Sequence, residues 1–126
     1  MKESPKNGLA ADALMKDPRV KEAKRLLKEA VSEHQKPLKG IRAPDRLLKL
    51  SYTQLLETMS ALRGQKLWYP YLGSGIGNGP YVELADGSVK LDLIGGIGVH
   101  YFGHSHQDII DAVIDANDPH CRGVVV

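Results

Sequence analysis

Near residue 65 the chain changes character, and that change limits the folds open to it. Before it, charged and apolar residues alternate at helical spacings. From 65 to 103 glycine and apolar residues dominate, and no long helical pattern survives. Glycine is costly inside a helix and useful where backbone must turn or approach something closely. A helical front followed by a small β-rich part predicts an α+β fold: two N-terminal helices, a small antiparallel sheet or hairpin, and a C-terminal helix.

The centre of the second part is a hairpin. Tyr81-Val82-Glu83-Leu84-Ala85 and Ser88-Val89-Lys90-Leu91-Asp92-Leu93 flank Asp86-Gly87, a strong type I′ turn signal. A two-residue loop would place Ala85 opposite Ser88, Leu84 opposite Val89, Glu83 opposite Lys90 and Val82 opposite Leu91. Val82, Leu84, Val89, Leu91 and Leu93 then share an apolar face, and Glu83 meets Lys90 on the other as a cross-strand charge pair. A slip of one residue would put Lys90 on the wrong side. Tyr69-Pro70-Tyr71-Leu72 is the candidate third strand.

Three helices have sequence signals. Asp17 and Pro18 suit the N-cap and first helical position of one helix. Val20, Ala23, Leu27, Ala30, Val31 and His34 make its apolar stripe, with the lysines elsewhere, and Pro37 and Gly40 end it. Ala10, Ala11, Ala13 and Leu14 suggest a short helical turn ahead of it. Arg42 to Leu50 is a connector, with room for one helical turn after Pro44. The second helix is expected to start at Ser51, with Gln54 completing a capping box. Tyr52, Leu55, Leu56, Met59 and Leu62 form its apolar face, and Gly64 closes it in the left-handed conformation. The last helix follows Ser105, with Asp108 in the capping position and Ile109, Ile110, Val113, Ile114 and Ala116 as a wide apolar face. Asn117-Asp118-Pro119-His120 stops it, and Val124-Val125-Val126 has the composition of a strand cut off.

Composition excludes little. The 17 basic and 15 acidic side chains leave a formal charge of +2, which neither demands nor excludes an anionic partner. The basic residues between Lys16 and Lys39 interleave with Asp17, Glu22, Glu29 and Glu33, so a solvated helix is favoured over a nucleic-acid face. No apolar run is long enough for a signal peptide core or a membrane span, and the single cysteine, Cys121, makes no disulfide within the chain. A reducing cytoplasm is the expected location.

The motifs that suggest ligands are weak one by one. Gly73-Ser74-Gly75-Ile76-Gly77-Asn78-Gly79 lacks the following helix of a dinucleotide fingerprint and the Lys-Ser or Lys-Thr of a phosphate loop. His100, His104 and His106 lack both a nearby cysteine and the helical H-E-x-x-H spacing of a zinc site, so no metal is assigned. Gly95-Gly96-Ile97-Gly98 implies a backbone that bends sharply or admits something close, either a ligand or another chain.

In order, these pieces make a more specific pattern. Gly75-Ile76-Gly77-Asn78-Gly79-Pro80-Tyr81-Val82 runs into Leu84-Ala85-Asp86-Gly87, then Leu91-Asp92-Leu93-Ile94-Gly95-Gly96-Ile97-Gly98-Val99, then Phe102-Gly103-His104-Ser105-His106 and a helix. The stretch from 68 to 116 resembles the N-terminal part of class III, fold-type I aminotransferases, which use pyridoxal phosphate. That group includes the acetylornithine, ornithine and 4-aminobutyrate aminotransferases. The resemblance departs at Gln107, where the family usually has proline, and residues 1 to 66 form a longer helical front than the usual family start.

The resemblance implies a helical N-terminal extension over 1–66 and the truncated N-terminal part of an aminotransferase small domain over 67–126. It implies that Gly95, Gly96, Ile97 and Gly98 line the substrate side of the active site and the interface of a homodimer. His104, Ser105 and Asp108 are expected to support the following helix start. It assigns no catalytic and no cofactor-binding residue to this chain. The Schiff-base lysine, the aspartate on the pyridine nitrogen and the phosphate loop lie downstream in the family, so pyridoxal phosphate, an amino donor and a 2-oxo acid belong to a longer parent. Two rival readings remain: a noncatalytic interaction or self-association domain, and an anion- or nucleic-acid-binding domain built on the lysine-rich helices.

Overall fold

A computed structural model describes residues 8 to 116 of the chain. The expected end of the last helix after Asn117, the valine strand and Cys121 lie outside the described residues. Elements follow the order α1 Ala10–Met15, α2 Pro18–Gln35, a 3-10 turn Arg46–Leu48, α3 Lys49–Arg63, β1 Gly73–Asn78, β2 Tyr81–Leu84, β3 Val89–Leu91 and α4 Gln107–Ala116. The fold is α+β, with a helical front, an open three-stranded antiparallel sheet in the order β1-β2-β3, and a C-terminal helix. Among the described residues no helix is long and apolar enough to cross a membrane.

The chain divides into two compact units. One joins the chain up to Glu33 with the segment from Gln107 onward; the other is His34–His106. In the first unit α2 starts as its sequence predicts: Asp17 Oδ1 accepts the Arg19 amide at 2.9 Å ahead of Pro18. Its covered stripe differs from the expected one. Val20, Lys24, Lys28 and Val31 are half-buried, whereas Leu26 and Leu27 are exposed. The cause is the partner face of α4, which carries carboxylates beside Ile110 and Ile114. Lys24 Nζ lies 2.8 Å from Asp115 and Lys28 Nζ 2.7 Å from Asp111. Long lysine stems can cover apolar surface while their ends pair. The wide apolar face expected of α4 is correspondingly narrow, because Ile109 and Val113 are exposed.

In the second unit the helical connector and α3 run together. Asp45 caps the 3-10 turn through its carboxylate and the Leu47 amide, and α3 begins at Lys49, before Ser51. Ser51 therefore sits inside the helix and donates its hydroxyl to the Leu48 carbonyl, so the expected Ser51 cap does not form; α3 has no side-chain cap of its own and follows the 3-10 turn that Asp45 caps. Gly64 closes α3 at φ 73. Tyr52, Leu56 and Met59 are half-buried, while Leu55 and Leu62 are exposed.

The hairpin forms, but in a different register. Tyr81 faces Leu91, Val82 faces Lys90 and Glu83 faces Val89. The loop has three residues, Ala85-Asp86-Gly87: the Leu84 amide bonds Ser88 O, the Gly87 amide bonds Leu84 O, and Gly87 has φ 77. That is a turn closed by a left-handed glycine bulge, in place of the two-residue type I′ turn. The local chemistry explains the choice. Asp86 Oδ1 accepts both the Ser88 amide at 2.9 Å and the Ser88 hydroxyl at 2.6 Å, and Ser88 is fully buried. The expected Glu83–Lys90 pair does not face across the strands. Glu83 instead bonds Arg42 Nη2 at 2.6 Å and the Ser74 hydroxyl at 2.8 Å.

The third strand also differs from expectation. It is the glycine-rich segment Gly73–Asn78, while Tyr69–Leu72 precedes it and is pinned by Tyr52, whose hydroxyl donates to Pro70 O and accepts the Leu72 amide. Arg42 extends the other edge by exchanging both backbone bonds with Val89. Leu38, Leu84 and Val89 are the buried apolar residues among those described.

Candidate functional site

A glycine and a proline set the platform. Gly79-Pro80 turns β1 into β2, with Gly79 at φ 56. Its two carbonyls hold the ends of the loop that follows β3. The Asp92 amide bonds Pro80 O at 2.8 Å, and the His104 amide bonds Gly79 O at 2.9 Å. Such a close approach needs missing side chains. A Cβ on Gly103 would lie 2.8 Å from the Gly79 Cα, and one on Gly77 would lie 2.4 Å from His104 Cβ and 2.6 Å from the Tyr81 carbonyl oxygen. Gly77 and Gly103 thus supply the clearance that brings His104 against the sheet edge, and Gly79 supplies the positive-φ turn.

Asp92 and His104 then meet across the base of the loop. His104 Nε2 and Asp92 Oδ2 are 2.7 Å apart, with side-chain exposures of 13% and 19%. Asp92 Oδ1 accepts the Gly95 amide at 2.8 Å and the Ile94 amide at 3.0 Å. The Gly95 amide, then His104, hold the Asp92 carboxyl below its ordinary range against the opposing effect of burial. His100 packs its ring on His104 at a centroid distance of 4.2 Å and a tilt of 32°. Beneath lies a cleft of about 380 Å³, walled by Pro80, Asp92, Gly95, His100, Phe102 and His104.

The tip of the loop carries the residues picked out in the sequence. Gly95, Gly96, Ile97 and Gly98 have φ of 60, 62, 60 and 86, four left-handed residues in succession. Ile97 is the outlier, because a β-branched side chain there is strained by about 1–3 kcal/mol. Its side chain is nonetheless 92% exposed. Leu93, Ile94, Val99, Tyr101 and Phe102 are exposed as well.

His104 lies at the base of this loop. Ser105 serves the sheet, since its hydroxyl accepts the Gly77 amide at 3.2 Å and its φ is 54. The following helix begins at Gln107, so Ser105 stands one residue before the position expected of its cap. Asp108 is in the first turn of α4, within the other unit.

Two participants escaped the sequence reading. Gln35 donates to Gly77 O at 2.8 Å and Ser105 O at 3.1 Å, fixing the sheet edge to the end of the loop. Asp92 was visible as an acidic residue three before a glycine, the spacing of a carboxylate that accepts its own loop's amides. Nothing in one sequence pairs it with a histidine twelve residues on.

The chemistry available here is limited. Among the described residues no group of three or more His, Cys, Asp and Glu side chains is placed to hold a metal ion. No lysine walls the cleft, and the Asp92 carboxylate is already shared among His104 and two amides. These residues do not fit pyridoxal phosphate, which needs a Schiff-base amine and a carboxylate free for its pyridine nitrogen. No family model, no curated protein and no solved structure matches the chain.

Proposed function

We propose that this chain is the N-terminal part of a pyridoxal-phosphate-dependent aminotransferase of class III, acting on an amino acid or amine. In that reading it belongs to the small domain of a fold-type I enzyme. Its task is to wall the substrate side of the active site and the dimer interface with the Gly95–Gly98 turn. The chain alone does no catalysis, and the cofactor is held by other parts of the parent protein.

The observation that carries this reading is the loop from Leu93 to Gly103. Eleven consecutive residues contain no Asp, Glu, Lys or Arg and expose six large apolar side chains. Those side chains together offer on the order of 800 Å², the area one partner buries in a specific interface. Water-facing loops are normally polar, and contiguous apolar patches mark surfaces that something covers. A strained Ile97 at the tip points the same way, since strain is retained where a partner or ligand uses the geometry. The order of motifs around the loop supports the family.

The same loop also favours a second reading, a noncatalytic interaction domain that docks through this face. The two separate on one experiment: the intact subunit mass of the native protein together with its absorption spectrum. A subunit several times heavier than 13.8 kDa, with an internal-aldimine band that borohydride abolishes, supports the enzyme. A native subunit of 13.8 kDa without that band removes the enzymatic reading and leaves the interaction domain.

A further inference from the structure

The loop after β3 leaves the sheet and returns to it at one place. The Asp92 and His104 amides bond the carbonyls of Pro80 and Gly79, at 2.8 Å and 2.9 Å, so both ends are pinned to the β1–β2 turn. Between those ends, the backbone bonds are the His100 amide to Gly95 O and the Gly103 amide to His100 O, both 2.8 Å. Both run through His100. Its ring rests on two neighbours: it stacks on His104 at a centroid distance of 4.2 Å, and a Cβ added to Gly96 would lie 3.0 Å from its Cδ2. The seat of the His100 ring and the two loop bonds are therefore coupled, while the left-handed Ile97 opposes the closed shape.

The stack joins two titratable rings to one counter-charge. His104 Nε2 lies 2.7 Å from Asp92 Oδ2. The Gly95 amide and His104 hold Asp92 ionised, so Nε2 carries the hydrogen and the next proton on His104 goes to Nδ1. That proton makes an imidazolium paired with a carboxylate. A second proton, on His100, finds no carboxylate of its own, because Asp92 is the acid lining this cleft. It sets two like charges side by side. The neighbours that pack on the base, Gln35, Gly77, Gly79, Pro80 and Ser105, are uncharged. His106 against Phe102 and the Tyr101 phenol are the other titratable groups here, and neither supplies a negative charge below neutral pH.

We propose that the His100–His104 stack is an acid-sensitive latch: the Leu93–Gly103 loop stays closed while no more than one ring is charged, and opens between its pinned ends when both are. The latch belongs to the loop itself and holds whatever surface the loop meets. Histidine changes charge between about pH 5 and 8, so the latch works in mildly acidic water, above the window in which Asp92 loses its charge. Two unit charges 4.2 Å apart lower the affinity for the second proton by about fivefold even at the dielectric of bulk water. By linkage the same factor favours the open loop. His100 is the ring that leaves, since it is exposed whereas His104 is tied to Asp92.

Amide hydrogen exchange on the full chain between about pH 7.5 and pH 5, corrected for the intrinsic rate, gives the opening ratio amide by amide. The His100 and Gly103 amides are expected to lose protection about fivefold on acidification, while those of Asp92, His104, β2 and β3 keep theirs. His100→Phe keeps a ring on His104 without its charge, so the acid loss at Gly103 should vanish. Imidazole proton resonances give a second readout: in His104→Gln, His100 should bind its proton about fivefold more tightly than as the second ring of the wild-type pair. Protection at His100 and Gly103 that is independent of pH overturns the latch, as does an acid loss that persists undiminished in His100→Phe. A loss shared by the Asp92 and His104 amides, or by β2 and β3, is general acid unfolding and overturns opening between pinned ends. A His100 titration unmoved by His104→Gln removes the repulsion on which the latch depends.

Discussion

Replacing Gly77 by alanine tests the packing that brings His104 to the sheet. The added Cβ would lie 2.4 Å from His104 Cβ and 2.6 Å from the carbonyl oxygen of Tyr81. Neither neighbour is the far end of a flexible side chain. Tyr81 O is backbone in β2, and His104 Cβ is fixed by its own amide bond to Gly79 and its ring bond to Asp92. Relief requires β1 and the loop base to move apart, which also strains the Gln35 bonds to Gly77 O and Ser105 O. Overpacking without an escape route costs about 3 kcal/mol, at the upper end of the usual range. A small domain loses stability in urea at about 1 kcal/mol per M, so the midpoint should fall by about 3 M. Equilibrium urea unfolding followed by circular dichroism measures it. Gly40→Ala is the benchmark, because no atom lies within 4 Å of the added carbon there, and its effect should stay within about 0.5 kcal/mol. A Gly77→Ala midpoint within about 0.5 M of the Gly40→Ala one would refute the close-packing account of this edge.

Three further outcomes are expected. The Asp92 carboxyl is held below its ordinary value in the folded protein, so its stabilisation is fully present above that value and is lost as pH falls through the folded one; loop exchange should rise over that acid window in wild type, with His104 and His100 the titratable rings facing the site, and Asp92→Ala should remove the step. Ile97→Gly should stabilise the unassociated chain by about 1 kcal/mol by relieving the left-handed isoleucine, while weakening association through the loop, as thermal melting and oligomer measurements would show; a variant that loses stability contradicts the strain. A double-mutant cycle on Arg42 and Glu83 should give a coupling of about 0.5–1 kcal/mol, whereas a cycle on Glu83 and Lys90 should give about zero, and the reverse ranking would restore the two-residue hairpin register.

The sequence carried the elements better than their contacts. Asp17-Pro18 placed the start of α2 and Gly64 the end of α3, because caps are local chemistry. The hairpin was legible, but its register was not. Asp-Gly alone favours a two-residue loop, and the decisive partner was the Ser88 hydroxyl, which stabilises Asp86 in a three-residue loop. Periodicity misjudged the covered face of α2 for a tertiary reason: Asp111 and Asp115 on α4 draw in Lys24 and Lys28, and no helical stripe announces that. Glycine repetition in 73–78 carried no strand pattern, yet glycine here permits close pairing, with β1 against β2 and Gly77 against His104. At the site, Gly95 to Gly98 and His104 were visible as residues, whereas the Asp92–His104 bond was not, since it depends on both loop ends returning to Gly79-Pro80.

The exposed loop and the sparse core follow from one cause. Buried apolar residues are confined to Leu38, Leu84 and Val89 among those described, all in the unit from His34 to His106. None of the described helices contains a buried residue. A chain with so little internal burial has weak hydrophobic cohesion, because that driving force scales with the area removed from water. Its backbone detail is nevertheless highly specified: a capped turn at Asp86, two glycines cut to fit at Gly77 and Gly103, and a carboxylate holding a strained loop. Specification of that kind fixes the presentation of a surface, whereas a monomer selected for its own stability would cover Leu93, Ile97 and Tyr101 before refining the turn beneath them. Polar precision under an uncovered apolar loop supports the proposed docking role, in which a partner that binds the folded form would supply the missing stabilisation.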